Sequence, residues 1–299
     1  VRQALDELRT QKKSIAVINE SRISSDHNPP QAEPTRIDIA KFKGKTIRFG
    51  LTSDEHLCSK YHRDDIREAL FDIWQSQGIT DVYECGNMID GEARFNKHDL
   101  IVHGMQNQVD YFVDHWPRRK GMRTHFITGD DHEGWYIQRE GVNIGEFIQM
   151  CAEKSGRKDL QFLGHMEHDV IITAKHGEAR LRVLHAGGGS AYATSYSVQK
   201  IVESLTGGTK PSVMVVGHYH KAEYSYIRNV HVVQAGCVED QTPFMRKLKI
   251  QAHLGGWTIS FKVDNYGNVH EFTPQFHPFY DKEYYERNWQ YLWKPKNKK

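Results

Sequence analysis

The stretch Ser53-Asp54-Glu55-His56 constrains this chain more than any other. It follows the β-branched and apolar run Thr46-Ile47-Arg48-Phe49-Gly50-Leu51-Thr52, which predicts a buried strand, so the tetrad falls where a strand ends and a loop begins. Asp54 and His56 stand two residues apart, and their side chains converge on one point once the chain leaves the extended form. A carboxylate oxygen with an imidazole nitrogen is a ligand set for Zn, Mn or Fe. Alone, such a pair is more often structural.

Downstream clusters change that balance. In order they are Gly86-Asn87-Met88-Ile89-Asp90-Gly91, Gly129-Asp130-Asp131-His132-Glu133, His185-Ala186-Gly187-Gly188-Gly189 and Gly217-His218-Tyr219-His220. Each trails an apolar run, Val82 to Cys85, Thr124 to Thr128, Leu181 to Leu184 and Val213 to Val216. Polar clusters at the C-terminal ends of strands gather on one edge of a sheet, where open α/β sheets place their sites. A collection of His and Asp there reads as a metal centre.

These blocks, in this order, resemble the calcineurin-like metallophosphoesterases, whose pattern is Asp-x-His, Gly-Asp, Gly-Asn-His-Asp/Glu, His and Gly-His-x-His. The resemblance spans Ile47 to Gly236. It implies an α/β fold of the four-layer αββα metallophosphoesterase sandwich and two divalent metal ions, Mn first, with Zn, Fe or Mg as alternatives. It further implies cleavage of a phosphate ester by metal-activated water attacking phosphorus in line. By the same resemblance Asp54, His56, Asn87, Asp131, His185, His218 and His220 fall to the metals. His132 would protonate the leaving oxygen, with Asp131 beside it in the catalytic group.

Two blocks depart from the pattern. Asn87 stands where the family has a metal-bridging Asp, and Asp131 stands at the Asn position, or Asp130 if the alignment slides by one residue. Neutral for charged at one position and charged for neutral at the other leave the formal ligand charge unchanged. A metal site is therefore still expected, with its bridge supplied differently; Asp90 and Glu92 are the carboxylates nearest to Asn87 in sequence. Asn87 is also the reason to weigh a binding protein that keeps the fold without turnover.

A chain of 299 residues holds one catalytic domain and a smaller appendage. Residues 1–25 read as a helix over Gln3 to Arg9 and a hairpin from Ser14 to Asn19 and Arg22 to Ile23, either the second half of a winged helix or a piece packed on the main domain. Residues 26–35, with Asn28-Pro29-Pro30 and Pro34, form a linker, because consecutive prolines favour extended chain. The metallophosphoesterase domain is expected over 36–275, with helices at Asp64 to Gln77, Asp99 to His115 and Tyr192 to Leu205. Late strands at Tyr224 to Ile227, Val230 to Gln234, Thr258 to Val263 and Val269 to Phe272 are expected to complete the second sheet. Residues 276–299 are an aromatic and basic tail that either wraps the domain or faces nucleic acid.

For substrate, Arg94 and Lys97 follow the second block and are placed to grip a phosphate. Trp135 and Tyr136 follow His132 without a gap, either to stack on a base or sugar or to seat the first turn of a helix. A winged-helix remnant with loop cations points to DNA as partner and to a nuclease; a nucleotide or phosphomonoester phosphatase is the alternative. Lys plus Arg number 40 against 38 acidic residues, a net charge of +2, so any nucleic-acid surface is local. The four cysteines form no C-x-x-C pair, which argues against a zinc ribbon or disulfide framework and fits the cytoplasm. No apolar run approaches the ~20 residues of a membrane span, and a homo-oligomer is left open.

Overall fold

Alternating inward and outward residues build two sheets whose strand ends carry the motifs. The computed structural model describes residues 33–189 and 191–280, together with the backbone of two short strands, β1 (Ala16–Asn19) and β2 (Arg22–Ser24), which pair antiparallel with each other. The helix expected over Gln3 to Arg9, most of the linker and the tail beyond residue 280 lie outside the described residues. The chain divides into two units between Glu33 and Pro34.

In the larger unit the strands run β3 (Thr35–Asp38), β4 (Thr46–Thr52), β5 (Asp81–Glu84), β6 (Arg123–Thr128), β7 (Leu160–His165), β8 (Glu167–Thr173), β9 (Glu178–His185), β10 (Val213–Gly217), β11 (Ala222–Ile227), β12 (Val230–Ala235), β13 (Gly255–Val263) and β14 (Val269–Pro278). The helices are α1 (Asp64–Ser76), α2 (Met105–His115), α3 (Gly134–Glu140), α4 (Ile144–Lys154), α5 (Tyr196–Ser204) and α6 (Pro243–Leu248). One sheet has the order β14-β13-β4-β5-β6-β7 and the other β11-β12-β10-β9-β8-β3. In the first, β4 to β7 are parallel; in the second, β9, β10 and β12 are parallel.

Period-two alternation decides which face each residue serves. Phe49, Leu51, Tyr83, Ile127 and Ile259 point from the first sheet into a core shared with Val170, Leu181, Val183, Val215 and Val233 of the second. Their sequence neighbours point the other way. Val82 and Phe126 pack beneath Leu70 and Trp74 of α1, Phe112 of α2 and Ile148 of α4, while Met214 and Val232 pack beneath Val198 and Val202 of α5. The layers are therefore helix, sheet, sheet, helix, the four-layer αββα arrangement expected from the sequence.

α1 forms because Ile66, Leu70 and Trp74 recur on one face, and Gly78, at φ +70°, takes the left-handed turn just beyond its end. Trp74 lies directly on Gly50 of β4, and its Nε1 donates to the Trp257 carbonyl at 3.1 Å. A Cβ at Gly50 would sit 2.5 Å from the indole. Gly50→Ala is thus expected to destabilise the fold by about 1–3 kcal/mol through overpacking, read as a lower urea midpoint at unchanged slope. An unmoved midpoint would show that the indole gives way freely.

Two sequence expectations are corrected. β13 and β14 join the first sheet, not the second, because β13 pairs antiparallel with β4, Trp257 opposite Leu51 and Phe261 opposite Ile47. The helix expected from Asp99 begins at Met105, after Gly104 at φ +84°. Among the described residues no helix is long and apolar enough to cross a membrane.

Candidate metal centre

All five motifs sit at the C-terminal ends of β4, β5, β6, β9 and β10 or in the loops that follow them, at one edge of the two sheets. Six of their residues, Asp54, His56, Asn87, His132, His218 and His220, have φ between 45° and 88°. For a residue with a Cβ that conformation costs about 1–3 kcal/mol and persists only where the surroundings enforce it. Here the loops enforce one another. Asp54 N donates to the Gly86 carbonyl at 3.0 Å, His56 N to the Asn87 carbonyl at 2.9 Å, and Glu133 Oε1 accepts from the backbone N–H of Asn87 at 2.8 Å and of Gly129 at 3.0 Å. Burial pushes the Glu133 carboxyl up to about 7, against these hydrogen bonds and the nearby His185.

The side chains gather into two trios. Asp54, His56 and His220 form one, and Asp131, His185 and His218 the other, with the ligand atoms of each within 4.8 Å of one another. In the first, His220 Nε2 lies 3.5 Å and His56 Nε2 3.9 Å from Asp54 Oδ1. In the second, Asp131 Oδ1 lies 3.3 Å from His185 Nε2 and Oδ2 lies 3.4 Å from His218 Nδ1. The trios adjoin, since Asp54 Oδ2 accepts from the His218 backbone N–H at 2.8 Å. Asn87 belongs to the same junction, its Nδ2 donating to Asp54 Oδ1 at 3.4 Å.

Burial raises the Asp54 carboxyl, but His220, His185 and His56 together hold it well below the usual carboxylate range. Asp131 behaves likewise: burial opposes, and the adjacent imidazoles of His185 and His218 hold it far down. His185 is lifted to about 9 against its burial by Asp131 and Asp54.

Buried atoms without a hydrogen-bond partner show what the site suits. His56 Nε2, His185 Nε2, His220 Nδ1, Asn87 Oδ1 and Asp131 Oδ1 are all in that state. Leaving such groups unsatisfied costs roughly 1–3 kcal/mol each, so the residues present fit divalent cations, whose ligands are imidazole nitrogen and carboxylate oxygen. His185 Nδ1 donates to the Cys85 carbonyl at 2.6 Å, which fixes the tautomer that leaves Nε2 free as a ligand.

Beside the first trio, Asp90 accepts from two histidines, His56 Nδ1 at 2.9 Å and His132 Nδ1 at 3.1 Å. His132 is lifted to about 10, since Asp90 and Asp131 outweigh its burial; burial and the nearby His132 push His56 down to about 4. The grouping His56, Asp90 and His132 also meets metal-site spacing. The two Nδ1 contacts to Asp90 account for it as a hydrogen-bonded pair of imidazoles on one carboxylate. The His132 ring lies on the half-buried Trp135 with centroids 4.7 Å apart and planes 27° from parallel, and Phe95 stands edge-on to Trp135 at 5.2 Å.

Of the residues expected from sequence, Asp54, His56, Asn87, Asp131, His185, His218 and His220 meet in this centre, and His132 lies beside it. Asp131, not Asp130, faces the histidines. Tyr136 is corrected: at 2% exposure it is part of the core under the first sheet, because the first turn of α3 turns it inward and Trp135 outward. Arg94 is exposed, and Lys97 pairs with Glu92 at 3.1 Å. Sequence reasoning missed Glu239, a buried carboxylate whose Oε2 lies 3.9 Å from His56 Nε2. It follows β12 as the other motifs follow their strands, and that position was the available signal.

Neither a family model nor a curated protein matches the sequence. Solved structures similar in three dimensions include an archaeal phosphodiesterase, at 10% identity over 77% of this chain and 100% of that one with a TM-score of 0.39. Zinc-bound Vps29 from Entamoeba histolytica matches at 11% identity over 78% and 100% with a TM-score of 0.36. GAP50 of Plasmodium, described as an anchor in the inner membrane complex, matches at 10% identity over 78% and 84% with a TM-score of 0.46. Likenesses this distant carry nothing about substrate. The chain's own layers make a four-layer αββα sandwich, and the ordered motifs on the shared edge of its sheets resemble those of the calcineurin-like metallophosphoesterases.

Proposed function

We propose that the protein is a metal-dependent phosphodiesterase acting on nucleic acid, DNA foremost. The observation that carries this reading is the pair of His/Asp trios with His132 held beside them by Asp90. Divalent cations held by Asp54, His56 and His220 and by Asp131, His185 and His218, Mn foremost, would supply water activation and charge neutralisation at phosphorus. The chain supplies the remainder. With Nδ1 committed to Asp90, His132 Nε2 is the nitrogen left to hand a proton to the leaving oxygen. Asp90 fixes that orientation and Glu133 holds the two loops that carry Asn87 and His132 together.

Trp135 and Phe95 form an aromatic pair next to His132. A base stacked on this pair would lie beside the imidazole, and exposed Arg94, next to Phe95 in the loop after the second motif, is available to a phosphate. Trp135→Ala is expected to raise KM for a single-stranded oligonucleotide by about 5- to 100-fold, the stacking worth of one base. An abasic strand of the same length should be unaffected. An equal loss on both strands would assign Trp135 a purely structural role.

Turnover of plasmid and oligonucleotide DNA, compared with nitrophenyl monoester and diester under Mn, tests the whole reading. Hydrolysis of the small esters alone removes the nucleic-acid substrate and leaves a nucleotide or monoester phosphatase. Asn87 favours a second reading, a binding protein with this fold and no turnover. Metal content separates the two, since a working centre should hold about two ions per chain and a degenerate one fewer than one.

A further inference from the structure

Asn87 cannot serve both trios as a bridging carboxylate would. Its Nδ2 is the atom facing Asp54 Oδ1, at 3.4 Å, and chemistry requires the nitrogen there, because an amide oxygen would oppose a carboxylate oxygen. An amide nitrogen is a donor, so toward the first trio Asn87 offers no ligand. Its oxygen is turned to the second trio: a Cβ at Gly129 would lie 2.8 Å from Asn87 Oδ1 and 2.9 Å from His185 Nε2. The second trio therefore has Asp131 and an amide oxygen, while the first lacks the anionic oxygen that a bridge would bring.

Glu239 lies on the first trio's side. The segment after β12 runs along the Asp54 loop, with Val238 N donating to the Asp54 carbonyl at 3.1 Å and Glu239 forming an isolated bridge with His62. Its Oε1 accepts from Ser59 Oγ at 3.0 Å, which aims Oε2 at His56 Nε2, 3.9 Å away. The Glu239 and His56 side chains are 4% and 1% exposed, and His56 Nε2 has no hydrogen-bond partner. A separation of 3.9 Å is too long for a hydrogen bond. Two ligand bonds of about 2.0–2.2 Å to a common ion span such a gap.

We propose that Glu239 is a fourth ligand of the cation held by Asp54, His56 and His220, supplying on that side the negative charge that Asn87 does not. Each cation then carries its own carboxylates, Asp54 and Glu239 on one and Asp131 on the other, with no carboxylate shared between them. This rests on the reading of the trios as cation sites.

Calorimetric titration of chelator-stripped protein with Mn, alongside metal counting after dialysis, tests it. Wild type should take up two ions. Glu239→Gln, which keeps the shape and removes the charge, should retain one at wild-type affinity and bind the other at least about 10- to 100-fold more weakly, the range seen when support of a metal site is lost. Asp131→Asn should weaken the opposite ion, so that the double variant binds neither tightly. Should Glu239→Gln fail to fold, judged by its metal-free melting curve, Ser59→Ala decides, since it frees Oε1 and should weaken the same single ion by a smaller factor. Two ions at wild-type affinity in Glu239→Gln, or in Ser59→Ala where that variant decides, would overturn the role of Glu239 while leaving the trios standing. A wild-type protein that binds no divalent ion would overturn the trios and Glu239 together.

Discussion

Asp131→Asn should release the cation held with His185 and His218 and lower hydrolysis by more than ~10²-fold, beyond what loss of a merely supporting residue causes. Asp131 is the only carboxylate in that trio, and its two oxygens lie 3.3 and 3.4 Å from the two histidines. Removing its charge leaves two imidazoles and the Asn87 amide oxygen, all neutral, as ligands for a divalent ion. The reciprocal change is expected to fail as a remedy. Asn87→Asp puts a carboxylate oxygen where an amide N–H now meets Asp54 at 3.4 Å, so two like charges face each other inside a buried site already balanced by Asp131. Little gain or a loss is therefore expected for Asn87→Asp alone, and partial recovery when it is combined with Asp131→Asn. Ligands that share a centre should be strongly non-additive. Rates and metal content for the two single variants and the double exchange decide the matter: additive effects, with two ions kept in Asp131→Asn, would end the idea that the two positions have traded charge.

His132→Ala should lower the rate ~10²- to 10⁴-fold, the usual contribution of a general acid, and leave the metal count intact. The loss should be largest for esters with poor leaving groups, because only these need the proton at the moment of departure. Nitrophenolate, a good leaving group, should depart almost as well without it. If the metal count falls with the rate, His132 is a ligand and the grouping with His56 and Asp90 is a cation site in its own right.

Much of this centre was legible because its residues obey a local rule: a polar cluster directly after an apolar run ends a strand, and parallel strands bring their ends to one edge. Asp54, His56, His185, His218 and His220 needed only that rule. Asp131 needed more, since Asp130 precedes it with the same side chain and only the tertiary fold shows which carboxylate faces His185. Tyr136 was illegible for a related reason. In the first turn of a helix, neighbours point about 100° apart, and nothing in Trp135-Tyr136 says which ring goes in. Glu239 was overlooked because no histidine stands beside it. The late strands were recognised as strands, yet their sheet was not, because β13 finds its partner more than 190 residues away and alternation within a strand carries no address.

That long reach governs how the chain matures. β4 acquires β5 soon after it is made, but its other edge stays open until residues 255–263 arrive to form β13. During synthesis, the strand leading to Asp54 is thus a hydrophobic edge with free N–H and C=O groups, the kind of template that pairs with the wrong chain. Its last native neighbour lies more than 200 residues further along the chain, and pairing at such separation is slow to close. Yield of folded protein should accordingly depend on how well that edge is shielded in the interval, rather than on the durability of the finished sandwich.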